Sequence, residues 1–139
     1  MRSSGGLAQA EEISKQPITA ALSGPAAGVI AATHFGVLAE MPNLICFDVG
    51  GTSADICLVE QGKPRMLTEG RVDIYDVKTP MIDIHAVGAG GGSIAWLAGG
   101  RSLKVGPDSA GSSPGPACYG KGGTEPTVTD ANMVLGRLT

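Results

Sequence analysis

The pattern of apolar and polar positions between residues 44 and 60 predicts two short strands joined by a turn. Leu44–Phe47 is an unbroken apolar run that is too short for a helix and is typical of a buried strand. After the turn, Ile56–Val59 is again apolar and rich in residues that favour strands. Asp48 and Asp55 bracket the turn, one acid on each side. The pattern therefore predicts a hairpin, and the other elements are placed around it.

The predicted turn carries residues that can bind an anion. Gly50 and Gly51 have no side chain to cover their amides, and amides exposed in this way form a concavity that binds anions. Thr52 and Ser53 add hydroxyl donors, and Asp48 stands at a strand end where a carboxylate can hold a Mg²⁺ water. The set fits a polyphosphate carrying Mg²⁺ better than a bare phosphate. The alternative is an ordinary hairpin whose turn contains two glycines.

Helices are predicted before the hairpin. Residues 7–15 have a helical composition that ends before Pro17, and Ile18–Leu22 is predicted as a brief strand. Ser23 is the expected N-cap of a longer helix over Pro25–Glu40. Because this helix is rich in alanine and glycine, it has a smooth surface on which a sheet or another helix can pack closely.

A second glycine loop, Ala89–Ser93, follows strands predicted over Glu69–Val77 and Pro80–Ile84. It precedes Ile94–Leu97, which begins like a short helix or strand. A glycine loop that opens onto a helix start can bind an anion or lie against a flat ring. A purely structural loop is the alternative, and the sequence after it lacks the fingerprint of dinucleotide-binding folds.

The stretch from Gly106 to Gly123 consists almost entirely of Gly, Pro, Ser and Ala. A cysteine and a tyrosine interrupt it, and its many prolines favour an ordered loop that lines a cleft over a flexible linker. Thr129 is predicted to cap a final helix, Asp130–Leu138, with the charge of Asp130 in its first turn. Contact of Asp130 with Mg²⁺ or a nucleotide is the alternative.

Composition and charge exclude several classes of function. The chain has 139 residues, a formal net charge of −3 and no basic run, which argues against nucleic acid as a partner. It has no apolar run of membrane length, which argues against a membrane partner. Its three cysteines lack metal-binding spacing and are expected to be buried thiols of a cytoplasmic protein. Glycine, at 22 of 139 residues, is about twice the usual share of roughly 7%, so many turns have specified geometry.

The turn resembles the phosphate hairpins of the actin, sugar-kinase and heat-shock chaperone ATPase superfamily. More narrowly, the chain resembles the hydantoinase A / 5-oxoprolinase / acetone carboxylase family in Ser23–Ala32, Phe47–Val59, Asp83–Trp96 and Gly106–Leu138, and also in Arg2–Leu7. The resemblance implies an α/β chain with an actin-like ATPase (ribonuclease H-like) fold, here incomplete, with a mixed sheet and packed helices. It divides the chain into a connecting helical segment, 1–43, and a segment over 44–139 that carries the phosphate hairpin and the glycine loop. Members of the family are longer and carry another phosphate hairpin, so this chain is expected to be a fragment.

The resemblance also implies a function. The full protein is expected to open a cyclic amide, such as a hydantoin or 5-oxoproline, with ATP and Mg²⁺, beside a hydantoinase-B-like subunit or domain in a hetero-oligomer. Asp48 would hold Mg²⁺ or orient the nucleophile. Two loops would bind the nucleotide. The first would bind its phosphates through Gly50, Gly51, Thr52 and Ser53, and the second would contact the nucleotide through Gly90, Gly91, Gly92 and Ser93. The alternatives are a nucleotide-binding subunit of an acetone-carboxylase-like enzyme and a non-catalytic nucleotide-binding module.

Overall fold

The computed structural model of the protein describes residues 1–72 and 74–139. These residues form two compact units. The first unit comprises Met1–Asp48 and Asp55–His85, and the second comprises Val49–Ala54 and Ala86–Thr139. The glycine turn after Asp48 therefore belongs to the second unit. Asp73, inside the strand predicted over Glu69–Val77, lies outside the described residues.

The described residues contain helices and strands in an α/β arrangement, which confirms the expected class. The helices are α1 (Ala10–Lys15), α2 (Ser23–Leu38) and α3 (Val128–Val134), with 3₁₀ turns at Pro17–Ala20 and Ala117–Tyr119. The strands are β1 (Leu44–Val49), β2 (Ala54–Glu60), β3 (Lys63–Pro64), β4 (Met66–Leu67), β5 (Gly70–Val72), β6 (Tyr75–Val77), β7 (Met81–Ile82), β8 (His85–Val87), β9 (Ser93–Ala98) and β10 (Ser102–Ser109).

The strands form small antiparallel sheets in place of the mixed sheet that was expected. Strands β1, β2 and β3 are neighbours in that order, and β4 pairs with β7, β5 with β6 and β9 with β10. Every pair whose register the structure defines, β2–β3, β4–β7, β5–β6 and β9–β10, is antiparallel. For β2–β3 and β9–β10 the reason is the length of the connection, because a parallel pair needs a long crossover and these strands follow one another through short turns.

The core of the first unit lies between α2 and the strands. Helix α2 buries Ala26, Val29, Thr33 and Gly36, whose spacing of three and four residues places them on one face. An added Cβ at Gly36 would collide with the side chain of Leu44, so the small residue allows the helix to approach β1 closely. The remaining buried apolar side chains of this core are Cys57, Val59 and Ile82.

The N-terminal segment is tied into the first unit through Ser3, which is buried. Its amide donates to the carbonyl of Thr19 at 2.6 Å, and its hydroxyl accepts from the amide of Leu22 at 3.1 Å. Its carbonyl accepts from the amide of Ile82 at 2.9 Å. One serine therefore links the start of the chain to α2 and to β7.

The second unit is built on the hairpin of β9 and β10, in which Ala95 pairs with Val105 and Ser93 with Ser109. On the other side of β9, the amide of Ala95 donates to the carbonyl of Pro126 at 2.8 Å, and Ile94 forms a bridge with Thr127. Because Thr127 is the N-cap of α3, this pairing places the start of α3 beside the glycine loop that leads into β9.

Several boundaries differ from the sequence-based prediction. A 3₁₀ helix at Pro17–Ala20 overlaps the strand predicted over Ile18–Leu22, and Pro17 lies at its start, where the fixed φ suits a helical turn. Ser23 is the first residue of α2 and makes no side-chain cap, so its predicted role as N-cap was wrong. Thr127, not Thr129, caps α3 through a capping box with Asp130. Among the helices of the described residues, none has the length and apolar character needed to cross a membrane.

Candidate functional site

The turn between β1 and β2 presents free backbone donors. Gly50, Gly51 and Thr52 are exposed, and Ser53 is half-buried. The amide of Gly50 donates to the carbonyl of Ser53 at 2.8 Å and closes the turn. In the part of the chain that the structure describes, the amides of Gly51, Thr52 and Ser53 donate to no acceptor. The turn therefore has the donor groups that the sequence predicted for anion binding.

The second glycine loop packs directly against this turn, within the same compact unit. The amide of Gly91 donates to the carbonyl of Gly50 at 2.9 Å, and the amide of Gly92 donates to that of Gly51 at 2.6 Å. An added Cβ at Gly90 would lie 2.7 Å from the carbonyl oxygens of both Gly50 and Gly51. The glycine at position 90 is thus required because two backbones meet there.

This packing fixes the direction of the free donors. The C=O and N–H of a trans peptide point in opposite directions across a rigid plane. Because the carbonyls of Gly50 and Gly51 point at the second loop, the amides of Gly51 and Thr52 in the same peptide planes point away from it. A carbonyl that accepts a hydrogen bond also polarises its own peptide, which strengthens the N–H as a donor. The second loop therefore holds the turn with its donors directed outward.

The amides of Gly90, Gly91, Gly92 and Ser93 in the second loop already have partners within the chain. Those of Gly91 and Gly92 bond to the turn, that of Gly90 donates to the Ser93 hydroxyl at 2.8 Å, and that of Ser93 donates to the Gly90 carbonyl at 3.1 Å. Gly90, Gly92 and Ser93 are also buried. The predicted contact of Gly90–Ser93 with a nucleotide stays a prediction, and the geometry favours a supporting role for these residues.

Helix α3 supports the second loop through Thr129. Its amide and its hydroxyl both donate to the carbonyl of Gly91, each at 2.8 Å. Sequence reasoning placed Thr129 at a helix cap and missed this contact, because a partner 38 residues away leaves no local signal. The run of three glycines was the available clue, since such a run indicates a close approach of backbones.

Asp130 is held by hydrogen bonds rather than left free for a ligand. Its carboxylate accepts from the amide of Cys118 at 2.7 Å, and from the amide and hydroxyl of Thr127 at 2.8 and 2.7 Å. Desolvation alone would raise the pKa of Asp130, but the hydrogen bonds from Cys118 and Thr127 outweigh it and lower this pKa well below the ordinary value. The residue therefore fastens the glycine- and proline-rich segment to α3, and its alternative contact with Mg²⁺ stays untested.

Two carboxylates line a cavity in the first unit. The cavity has a volume of about 260 Å³ and lies between α2 and the hairpin strands; Asp48 and Asp55 border it together with apolar residues that include Val29 and Ile84. Asp48 is exposed and Asp55 is half-buried. Carboxylate oxygens are the ligands that Mg²⁺ prefers, and it usually binds through one or two of them while keeping several waters. The described residues contain no group of three or more His, Cys, Asp or Glu side chains that could hold a metal by themselves.

The sequence profile of the Hydantoinase/oxoprolinase family matches residues 1–139. The chain belongs to this family. It is 47% identical over 141 residues to caprolactamase subunit alpha of Pseudomonas jessenii, an alignment that covers 99% of this chain and 20% of that protein. It is 46% identical over 138 residues to 5-oxoprolinase 1 of Arabidopsis thaliana, which covers 98% of this chain and 10% of that protein.

Among solved structures, this Hydantoinase/oxoprolinase chain is similar to nucleotide-free acetone carboxylase, from a study of ATP-dependent acetone carboxylation. The two superpose with a TM-score of 0.77 at 34% sequence identity, over 100% of this chain and 19% of the other. The chain thus spans between about a tenth and a fifth of the lengths of the relatives it matches. The expected resemblance to this family is confirmed.

Proposed function

We propose that the chain supplies part of the nucleotide site of an ATP-dependent hydrolase that opens cyclic amides of the hydantoin or 5-oxoproline type. The observation that carries the proposal is the turn at Gly50–Ser53, whose outward amides have no acceptor among the described residues. In this proposal the amides of Gly51, Thr52 and Ser53 and the hydroxyls of Thr52 and Ser53 bind the phosphates of ATP. Such preorganised donors stabilise the negative charge that develops during phosphoryl transfer.

Asp48 is proposed as the residue that holds Mg²⁺ or orients the nucleophile. It is exposed at the end of β1, two residues before the turn, and borders a cavity together with a second carboxylate, Asp55. Carboxylates are the ligand type that a hydrated Mg²⁺ ion prefers. When bound, the ion would neutralise charge on the phosphates of ATP.

The proposed reaction activates a poor electrophile. The amide oxygen of the ring attacks the γ-phosphorus of ATP, so that an O–P bond forms while the bond from that phosphorus to the β,γ-bridging oxygen breaks and ADP leaves. Water then adds to the activated carbon and the C–N bond of the ring breaks, with a proton going to the leaving nitrogen, which leaves an acyl phosphate. A second water attacks the acyl carbon, and phosphate leaves as the carboxylate forms. The contribution of this chain is to bind and orient the phosphates and to stabilise their charge.

The proposal extends to the fold and the assembly. The phosphate hairpin, preceded by helix α2 and followed by the second glycine loop, supports an actin-like ATPase fold for the full protein. Residues 1–43 are its proposed connecting helical segment and residues 44–139 its proposed nucleotide segment. A relative is named as an alpha subunit, which supports a hetero-oligomer. A hydantoinase-B-like subunit or domain is the proposed partner.

A second candidate function is the nucleotide-binding subunit of a carboxylase of the acetone carboxylase type. The specific observation in its favour is the TM-score of 0.77 to that enzyme over the whole of this chain. ATP would then activate the substrates of a carboxylation rather than a ring amide. The phosphate-binding role of Gly50–Ser53 is the same in both candidates.

The proposed function is tested by steady-state ATPase assays on the full protein with its partner. We expect ATP hydrolysis to rise when a lactam, a hydantoin or 5-oxoproline is added, and Asp48→Ala to lower it at least about 100-fold without loss of the fold. Asp76→Ala, at an exposed position in β6, is the matched control. Stimulation only by a ketone with bicarbonate would favour the carboxylase, and full activity of Asp48→Ala would eliminate the role given to Asp48.

A further inference from the structure

We infer that Thr129 is a positioning residue for the phosphate-binding turn and acts on the amide of Thr52 through two peptide groups. The inference deepens the proposed function and rests on it. Thr129 lies at the start of α3, outside the hairpin and outside the glycine loop. Its contacts make it the end of a continuous chain of hydrogen bonds.

The chain of hydrogen bonds can be followed atom by atom. The amide and hydroxyl of Thr129 donate to the carbonyl of Gly91 at 2.8 Å. The peptide that carries this carbonyl has the amide of Gly92 at its other end, and that amide donates to the carbonyl of Gly51 at 2.6 Å. The peptide of the Gly51 carbonyl ends in turn in the amide of Thr52, which is one of the outward donors. Each link is a rigid plane, so an orientation imposed at Thr129 is carried to Thr52.

A second series of hydrogen bonds, which does not involve Thr129, leads to the amide of Gly51 and allows the two donors of the turn to be compared. The amide of Ser93 donates to the carbonyl of Gly90, whose peptide carries the amide of Gly91, and this amide donates to the carbonyl of Gly50. The peptide of the Gly50 carbonyl ends in the amide of Gly51. Loss of the Thr129 hydroxyl should therefore disturb the orientation of the Thr52 amide more than that of the Gly51 amide.

The hydroxyl of Thr129 is the group that a substitution can remove while the amide of Thr129 remains. Two donors on one carbonyl fix the orientation of the Gly91–Gly92 peptide in two directions and polarise it more strongly than one donor does. Packing is also close here, since an added Cβ at Gly91 would lie 2.8 Å from the Thr129 hydroxyl oxygen. Val has the shape of Thr without the hydroxyl, and Ser keeps the hydroxyl with less bulk.

The test compares Thr129→Val, Thr129→Ser and the control Thr124→Val in the full protein. Thr124 is exposed in the same unit. We expect Thr129→Val to weaken ATP binding and to lower kcat/KM for ATP by about 3- to 10-fold, the usual effect of losing one hydrogen bond. Thr129→Ser should recover most of the affinity, and Thr124→Val should leave it unchanged. Unchanged ATP binding in Thr129→Val, or no recovery in Thr129→Ser, would overturn the inference.

Hydrogen exchange separates a failure of this inference from a failure of the proposed function. Without nucleotide, Thr129→Val should speed exchange of the Gly92 amide, which donates to the Gly51 carbonyl, more than exchange of the Gly91 amide, whereas Thr129→Ser and Thr124→Val should speed neither. If the unaltered protein binds no ATP, the proposed function fails, and the exchange rates alone decide whether Thr129 orders the turn. Equal exchange in all variants would overturn the positioning role. Faster exchange throughout Thr129→Val would likewise overturn it in favour of a general structural role.

Discussion

At the scale of single residues, the glycines of the two loops have different roles. An added Cβ at Gly51 meets no atom within 4 Å, whereas one at Gly90 would lie 2.7 Å from backbone atoms of the turn. Gly51 is exposed and Gly90 is buried. Gly51 of the first loop therefore faces open space, whereas Gly90 of the second loop lies at a contact between two backbones.

This difference predicts that Gly90→Ala destabilises the protein. Because the added methyl would meet backbone that cannot move aside, we expect the free energy of unfolding to fall by about 1–3 kcal/mol. Chemical denaturation measures this change. Gly6→Ala, where an added Cβ meets nothing within 4 Å, is the matched control and should stay within about 0.5 kcal/mol of the unaltered protein. Equal stability of the two variants would contradict the close contact.

At the scale of elements, the local pattern predicted what depends on neighbours in sequence. The hairpin of β1 and β2 and the helix α2 were foreseen from apolar runs and composition, and the structure places them at Leu44–Glu60 and Ser23–Leu38. The strand predicted over Ile18–Leu22 was wrong, because a short apolar stretch fits a strand or a helical turn equally well.

The hydrogen bonds that join the second glycine loop to the turn could not be predicted from the local sequence pattern. The sequence singled out Gly50–Ser53 and Gly90–Ser93 separately, but nothing local indicates that Gly91 and Gly92 donate to Gly50 and Gly51. Contacts of this kind depend on how β9 and the segment before α3 bring distant loops together. The candidate residues of the site could therefore be selected from residue types, whereas the contacts of the second loop with the turn required the structure.

The capping box of α3 predicts a loss of stability in acid. The native pKa of Asp130 lies below its ordinary value of 3.8, because Cys118 and Thr127 donate hydrogen bonds to the carboxylate. Its ionised form therefore stabilises the fold fully above about pH 4, and this contribution disappears as the pH falls toward the native pKa. We expect Asp130→Asn to lose less stability than the unaltered protein between about pH 4 and pH 2.

Denaturant midpoints measured across this range test the expectation. Asp108→Asn, at an exposed position of the same unit, serves as the control and should follow the unaltered protein. Superimposable acid profiles for Asp130→Asn and the unaltered protein would show that the carboxylate gains nothing from its hydrogen bonds in the fold.

At the scale of the whole molecule, the first unit leaves a broad apolar surface uncovered. Phe35, Leu38 and Met41 near the end of α2, and Ile45 and Phe47 on β1, are each at least 60% exposed. Strand β1 lies at the end of the order β1–β2–β3. Exposed apolar surface beside an edge strand favours association, because the edge offers unpaired backbone groups.

We expect the 139-residue chain to associate with itself in a concentration-dependent manner, and Ile45→Lys to weaken this association by placing a charge on β1. Sedimentation velocity over a range of concentrations measures it. Leu7→Lys, at an isolated position that is 85% exposed, should have no effect. A monomer at every concentration, or equal effects of both substitutions, would contradict the role of this surface.

In the proposed function, the outward amides of the turn at Gly50–Ser53 bind the phosphates of ATP. A crystal structure of the full protein with Mg²⁺ and a non-hydrolysable ATP analogue tests it most directly. We expect phosphate oxygens within about 2.7–3.2 Å of the amide nitrogens of Gly51 and Thr52. A nucleotide bound elsewhere, with this turn open to solvent, would contradict it.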